Sequence, residues 1–214
     1  MTKHQLPAAL IEVFSETRLH QYILPGEDYV QAFTRYQENI KLCESMLPAL
    51  HYLEVILRNQ LDRAIKDIYG NDWLLNTPTT LPIESYNQEK LTAARKTFYN
   101  EKRRDPTQDD MVATMTFGFW CSFFHKRYDP SLWHQAHFFY AIFPNWPREQ
   151  RKRSVIQPKL RIIKDVRNRI AHHEPIWNWK PGANIGYQLC LELIGAMSQE
   201  ALERLREIDR FTNL

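Results

Sequence analysis

Apolar residues recur at three- and four-residue steps from Leu50 through Leu53, Leu57, Leu61 and Ile65 to Ile68. That spacing places them on one stripe of a 3.6-residue helix and excludes a strand, whose faces alternate at every second residue. Pro48 just ahead suits a first helical turn, where its missing N–H costs no hydrogen bond. Gly70-Asn71 behind the run tolerates the left-handed backbone that closes helices. The same period returns along the chain. It predicts one or two short helices over Pro7 to Ile23 around Ser15, a helix over Asp28 to Ser45, and a charged helix from Ile83 to about Arg104. A further helix opens at Thr107 and carries Met111, Met115, Phe119 and Phe123, and another starts at Pro130-Ser131 with Trp133 and Phe138. Pro158 restarts the chain into Leu160, Ile163, Val166 and Ile170, a narrow apolar stripe that ends at Glu174-Pro175. A last helix runs from about Ile185 to Arg210.

Six glycines in 214 residues are few for an all-β chain, which needs turn residues about every 8–12 positions. Hydrophobic residues at 43% and charged residues at 25% are ordinary globular values. With no repeat, low-complexity stretch or long linker, the expectation is an all-α, single-domain helical bundle over 1–214, its motif core spanning about 28–205. No stretch approaches the roughly 18 apolar residues of a membrane span. The N-terminal MTKHQLPAALIEVF has no long apolar run, so no signal peptide is expected. Cys43, Cys121 and Cys190 form an odd set without CxxC spacing, which suggests neither disulfides nor zinc. A cytoplasmic protein with no cofactor and no membrane partner is expected.

The net charge is +3, but its distribution is uneven. Between Arg148 and Arg169, nine Lys/Arg stand against Glu149 and Asp165. A concentrated basic segment on an otherwise acidic body is the footprint of a polyanion binder. Arg151, Lys152, Arg153, Lys159, Arg161, Lys164 and Arg169 are accordingly the expected RNA-contacting side chains. A solvated helix face is the other explanation of such a run.

Inside this segment lies Arg167-Asn168-x-x-x-His172, followed by His173-Glu174-Pro175. Asn168 and His172 are one helical turn apart on one face. On an ideal helix Arg167 lies about 140° from His172, an offset that the long arginine and the helix end just after His172 can relax. A guanidinium offers a fixed fork to phosphate oxygens, and imidazole is the side chain that moves protons near neutral pH. Together they are the minimum for phosphodiester transesterification, Arg167 steadying charge on phosphorus and His172 serving as acid or base. The alternative is a set of cations complementing the dipole at a helix C-terminus. Glu54 and Arg58 are spaced i, i+4. They either form an intrahelical ion pair or, with Asn59, orient the motif. Glu174 either bonds a histidine or is a plain helix-end residue. His134 and His137, at i, i+3, lack a carboxylate partner pattern and read as structural or surface residues. Phe117-Gly118-Phe119-Trp120 reads as core, with Gly118 allowing close helix contact.

Arg167-Asn168-Arg169-Ile170-Ala171-His172-His173-Glu174-Pro175-Ile176 resembles the signature of the Abi-like (abortive infection) family, within the HEPN superfamily of helical ribonucleases and RNA-associated proteins. Two further blocks agree in order and spacing, Leu53 to Asn59 and Thr116 to Trp120. The resemblance implies a helical bundle and a homodimer that brings two copies of the motif together. It also implies metal-independent RNA cleavage in phage defence or toxin–antitoxin systems, with RNA as substrate and an RNA or protein antitoxin as partner. Carried over onto this sequence, Arg167 and His172 are the catalytic pair and Asn168 the polar residue beside the arginine. Glu54, Arg58, Asn59, His173 and Glu174 are the supporting set. Many members of the superfamily bind RNA or partners without known cleavage, so a non-catalytic binding module is the other reading.

Overall fold

The computed structural model describes residues 6–211, and among them it contains helices and no strand. The α-helices are α1 (Ala8–Phe14), α2 (Glu16–His20), α3 (Tyr29–Tyr69), α4 (Ser85–Lys102), α5 (Gln108–Thr114), α6 (Phe117–Ser122), α7 (Phe138–Ile142), α8 (Arg153–Ala171), α9 (Ala183–Met197) and α10 (Gln199–Ile208). The protein is all-α, and no helix among the described residues is long and apolar enough to cross a membrane.

The axis of the bundle is α3, about 60 Å long at 1.5 Å per residue. It opens on a reciprocal capping box, the Asp28 carboxylate accepting from Val30 and Gln31 N–H while Gln31 returns its side-chain oxygen to the Asp28 N–H. Here the structure departs from the sequence reading, which breaks this stretch into a helix over Asp28 to Ser45 and a second one opening at Pro48. Pro48 sits inside one continuous helix. An interior proline costs about 3 kcal/mol. Buried Leu50, Leu53 and Leu57 each return about 1.5–3 kcal/mol, so burial of the shared stripe outweighs the local penalty. Pro158 repeats the pattern within α8, where Ile156, Leu160, Ile163 and Val166 are all buried.

Three other predicted helices are divided. Met115 takes an extended backbone, and Thr116 caps a new helix by accepting from the Phe119 N–H, so α5 and α6 replace the single helix expected from Thr107. Their buried residues, among them Met111, Met115, Phe117, Phe119 and Trp120, do not share one stripe. The segment from Lys126 to Ile142 is two short 3₁₀ and π turns followed by α7, with His137 in the left-handed region. Near the C-terminus, Ser198 is extended and caps α10 by accepting from the Ala201 N–H. A Cβ on Gly195 would come within 2.9 Å of Leu202 Cδ2, so any larger residue there would require the Leu202 side chain to shift where α10 folds back on α9.

α3 packs against α9 and α7, and α9 in turn packs against α8 and α10. Gly186 of α9 passes so close to α8 that a Cβ would lie 3.1 Å from Val166 Cγ1. That approach seats α8 on the core through its apolar stripe and turns its basic face outward. One hydrophobic cluster runs from Met46 on α3 to Leu205 on α10, with Trp73, Phe119, Trp120 and Phe123 in edge-on or tilted contact at its centre.

A polar cluster braces this frame. Buried Asp62 accepts from Trp73 Nε1 and Gln108 Nε2 (both 2.9 Å) and pairs with Lys66 at 2.7 Å. Gln108 also accepts from the Leu74 N–H, and Arg95 of α4 donates to the carbonyls of Leu74 and Leu75. These bonds tie α3, α4 and α5 together around the Trp73 turn.

Candidate active site and nucleic-acid interface

α8 ends in a Schellman closure built by the motif itself. The Glu174 N–H bonds the Arg169 carbonyl (2.8 Å), the His173 N–H bonds the Ile170 carbonyl (3.1 Å), and His173 takes the left-handed position at φ 57°. Glycine or asparagine is the usual occupant there, so the backbone at His173 carries strain. Arg18 of α2 donates to the His173 carbonyl at 2.7 Å. Buried Asn39 of α3 accepts from the N–H groups of Ile176 (2.8 Å) and Trp177 (3.1 Å). Arg35, held by Glu27, lies over the Trp177 ring. Arg18, Arg35 and Asn39 thus hold the chain after the motif, and sequence reasoning missed all three. Their partners lie more than a hundred residues away and are backbone groups or an indole face, which leave no pattern to find.

The closure matters because His172 is the helix cap, at φ −95° and ψ 10°, and not an interior helical residue. Arg167, Asn168 and His172 all line a single groove of about 910 Å³. The 140° offset of an ideal helix therefore does not separate them. α6 lies between α4 and α8, packed on α8 and tied to α4 by Asn87 donating to Ser122 Oγ at 2.9 Å. Gly118 lies on this groove and a Cβ there would meet nothing closer than 3.9 Å. The expected close helix contact at Gly118 is not made, while Phe117, Phe119 and Trp120 are buried in the core as read.

Of the seven expected RNA-contacting cations, two line the groove, Arg161 and Lys164, and neither has an ion-pair partner among the described residues. Arg153 is bound to Asp129 (2.5 Å), Phe124 O and Gln157. Arg151 donates to the carbonyls of Trp146 and Pro144. Lys159 pairs with Glu192 and Arg169 with Glu174, each at 2.7–2.8 Å. Lys152 is exposed at the start of α8, outside the groove. The basic window is therefore part scaffold. Charge counting overstates it because it does not register these internal partners, of which Asp129, Phe124 and Glu192 come from distant segments and the others lie within seven residues.

The supporting set separates too. Glu54 does not pair with Arg58; it faces Arg167, with Oε2 3.7 Å from Nε. Both side chains are partly exposed, so the pair is weak and leaves the guanidinium free to meet an anion. Arg58 reaches toward the Ala113 carbonyl of α5 at 3.5 Å, and Asn59 is exposed, both away from the groove. Glu174 binds Arg169 and neither histidine. His173 serves the backbone turn. His134 and His137 are exposed, and among the described residues no three His, Cys, Asp or Glu side chains gather as a ligand set. The groove also gains residues that sequence reading passed over, among them His125, Lys90 and Tyr86. His125 accepts at Nδ1 from the N–H and Nε of Arg127 (3.4 and 3.3 Å), and Lys90 of α4 lies beside Tyr86.

Among the described residues, one groove thus gathers an arginine, an asparagine and a histidine from the end of α8 with the cations Arg161 and Lys164. A family model described as Abi-like protein matches residues 4–178, and the chain belongs to that family. It has no significant match to a curated protein or to a solved structure.

Proposed function

We propose that this Abi-like protein is a metal-independent endoribonuclease of the HEPN type, acting in the cytoplasm as a toxin or abortive-infection effector. The observation that carries the reading is the shared groove of Arg167, Asn168 and His172 with the unpaired cations Arg161 and Lys164. In the proposed reaction the RNA 2′-oxygen attacks the adjacent phosphorus and gives up its proton. The bond from phosphorus to the 5′-oxygen breaks, and that oxygen leaves with a proton. The products are a 2′,3′-cyclic phosphate and a 5′-hydroxyl. His172 handles one of these protons and solvent water the other, so no net proton is gained or lost, and the Arg167 fork binds the non-bridging oxygens as their charge grows. Asn168, one turn before His172, offers an amide to the same phosphate.

The test is cleavage of RNA by the purified protein in excess EDTA. Rates within about twofold of the untreated enzyme are expected, with cyclic-phosphate ends on the 5′ fragments. Loss of activity with EDTA and its return with magnesium or manganese would replace this mechanism with a metal-assisted one. RNA binding without turnover would leave a non-catalytic RNA-binding module.

A homodimer belongs to the same proposal. Arg167 also borders a second concavity, with exposed Leu47 and Ile208 and the partly buried Ile170 around it. A second copy seated there would set two motif helices near each other about a two-fold axis. Because one chain already gathers Arg167 and His172, the dimer would steady the pair more than complete it. Leu47→Arg is expected to convert a dimer in light scattering to a monomer with unchanged helical content. An unchanged mass for that variant would remove this face from the interface.

A further inference from the structure

We propose that the α4 wall of the groove is a strand-binding subsite for single-stranded RNA, with Tyr86 stacking an unpaired base and Lys90 contacting the neighbouring phosphate. The proposal rests on the RNA reading above and extends it to the form of RNA bound.

Tyr86 is 63% exposed although it lines the groove, so its ring is presented to whatever enters. Lys90, one helical turn on, places its ammonium 4.3 Å from the ring centroid. It has no carboxylate partner among the described residues. The facing wall carries Arg161, Lys164 and Arg167. Among the described residues Glu84 is the one carboxylate lining the groove, and Arg127 holds it at 2.8 Å. The α8 wall is thus positive, Lys90 adds a cation on the α4 side, and the exposed Tyr86 ring stands among these charges above a neutral floor of Thr116, Gly118, Cys121 and Ser122. That combination is how proteins track a single strand: cations follow the backbone and a ring takes a base face. In a duplex the bases are stacked on each other and their faces are closed to a tyrosine. A neutral peptide would gain little from the cations on α8, an acidic peptide would offer Tyr86 no base face to stack, and a double helix would gain nothing from Tyr86.

Fluorescence anisotropy of a labelled eight-nucleotide RNA of mixed sequence tests this, in a His172→Ala background so that the probe survives. The same RNA annealed to its complement is the second probe. Tyr86→Ala should weaken single-strand binding about tenfold, within the range for one stacked base. Tyr86→Phe, which keeps the ring, should stay within about twofold. Tyr99→Ala removes another exposed tyrosine (50%) further along α4 and outside the groove, and should change nothing. Lys90→Ala should reduce the slope of log affinity against log salt by about one ion. Duplex affinity should be lower and indifferent to Tyr86→Ala. Single-strand binding that is unaffected by Tyr86→Ala, equal losses for Tyr86→Ala and Tyr99→Ala, tighter binding of duplex, or no binding of either probe would overturn the proposal. Cleavage is read separately with the unmodified enzyme. Tyr86-dependent binding without cleavage removes the ribonuclease reading alone. Cleavage with Tyr86-independent binding removes the subsite alone.

Discussion

Under the proposed mechanism His172→Ala is expected to lower RNA cleavage by about 10³-fold, the range for removal of a general acid or base, while the protein keeps its helical content and melting temperature. The two halves of this expectation come from different observations. The imidazole lines the groove with Arg167 and Asn168. The residue is also exposed, and its role in the fold is carried by its backbone N–H, which bonds the Asn168 carbonyl at 2.9 Å. An exposed side chain with no packing role changes stability by no more than about 0.5 kcal/mol on removal. The control is His173→Asn, because asparagine tolerates the left-handed backbone at φ 57° and that side chain has no part in the proposed chemistry. Induced expression should arrest growth for the parent and for His173→Asn, and not for His172→Ala. A folded His172→Ala protein that cleaves at the parental rate would end the assignment. Arg167→Lys is expected to be impaired as well, since lysine keeps the charge and loses the fork.

Asp62→Ala should produce the largest loss of stability, about 3–5 kcal/mol, the range for breaking a buried charged pair. It strands the Trp73 indole N–H and the Gln108 amide and leaves the Lys66 ammonium only the longer pair with exposed Asp109 at 3.5 Å. Asp62→Asn retains an acceptor for Trp73 and Gln108 and gives up the pair with Lys66, so it should cost less. Urea titration reads both, as a fall in midpoint at unchanged slope. Equal midpoints for Asp62→Ala and the parent would mean that the cluster contributes nothing. The pH dependence has a defined sign. Burial alone would lower the Lys66 pKa, but Asp62 and Asp109 together outweigh it and hold the group above its ordinary value of 10.5. A raised pKa stabilises the fold fully below the unfolded value and less as pH climbs through the folded one. The contribution that comes from Lys66 ionisation is therefore complete at neutral pH and is lost as pH climbs through the raised lysine pKa in alkali. Since the same cluster orients α4 through Arg95, partial loosening should weaken RNA binding before global unfolding.

Much of the fold is written in short-range signals. The leucine period of α3, the Asp28 capping box, the Thr107 cap with Asp110 three residues on, and Gly70 after Tyr69 each act within one or two helical turns. Such signals are legible because the interacting residues are neighbours in sequence. The errors share a physical cause. Pro48 and Pro158 read as helix starts because their local cost is visible, whereas the burial that offsets it depends on α9 and α7 packing from elsewhere. Conversely, Met115 and Ser198 interrupt helices that apolar periodicity predicts to be continuous. There the core asked the chain to turn, and Thr116 and Ser198 were at hand to cap the next helix.

The site divides along the same line. The order Arg167-Asn168-x-x-x-His172 and its placement at the end of a basic amphipathic helix are properties of a local stretch, and the sequence determined them by itself. The tertiary structure alone decided which cations remain free. Arg153, Arg151, Lys159 and Arg169 are occupied by Asp129, backbone carbonyls, Glu192 and Glu174, while Arg161 and Lys164 are left to the groove. It decided as well that Glu54 meets Arg167, that Arg18 and Asn39 hold the turn after His172, and that Tyr86 and Lys90 stand across from α8. A charge finds its partner through space, and chain closure can bring together residues separated by any length of sequence. Periodicity and composition report only what lies within a few turns of each residue.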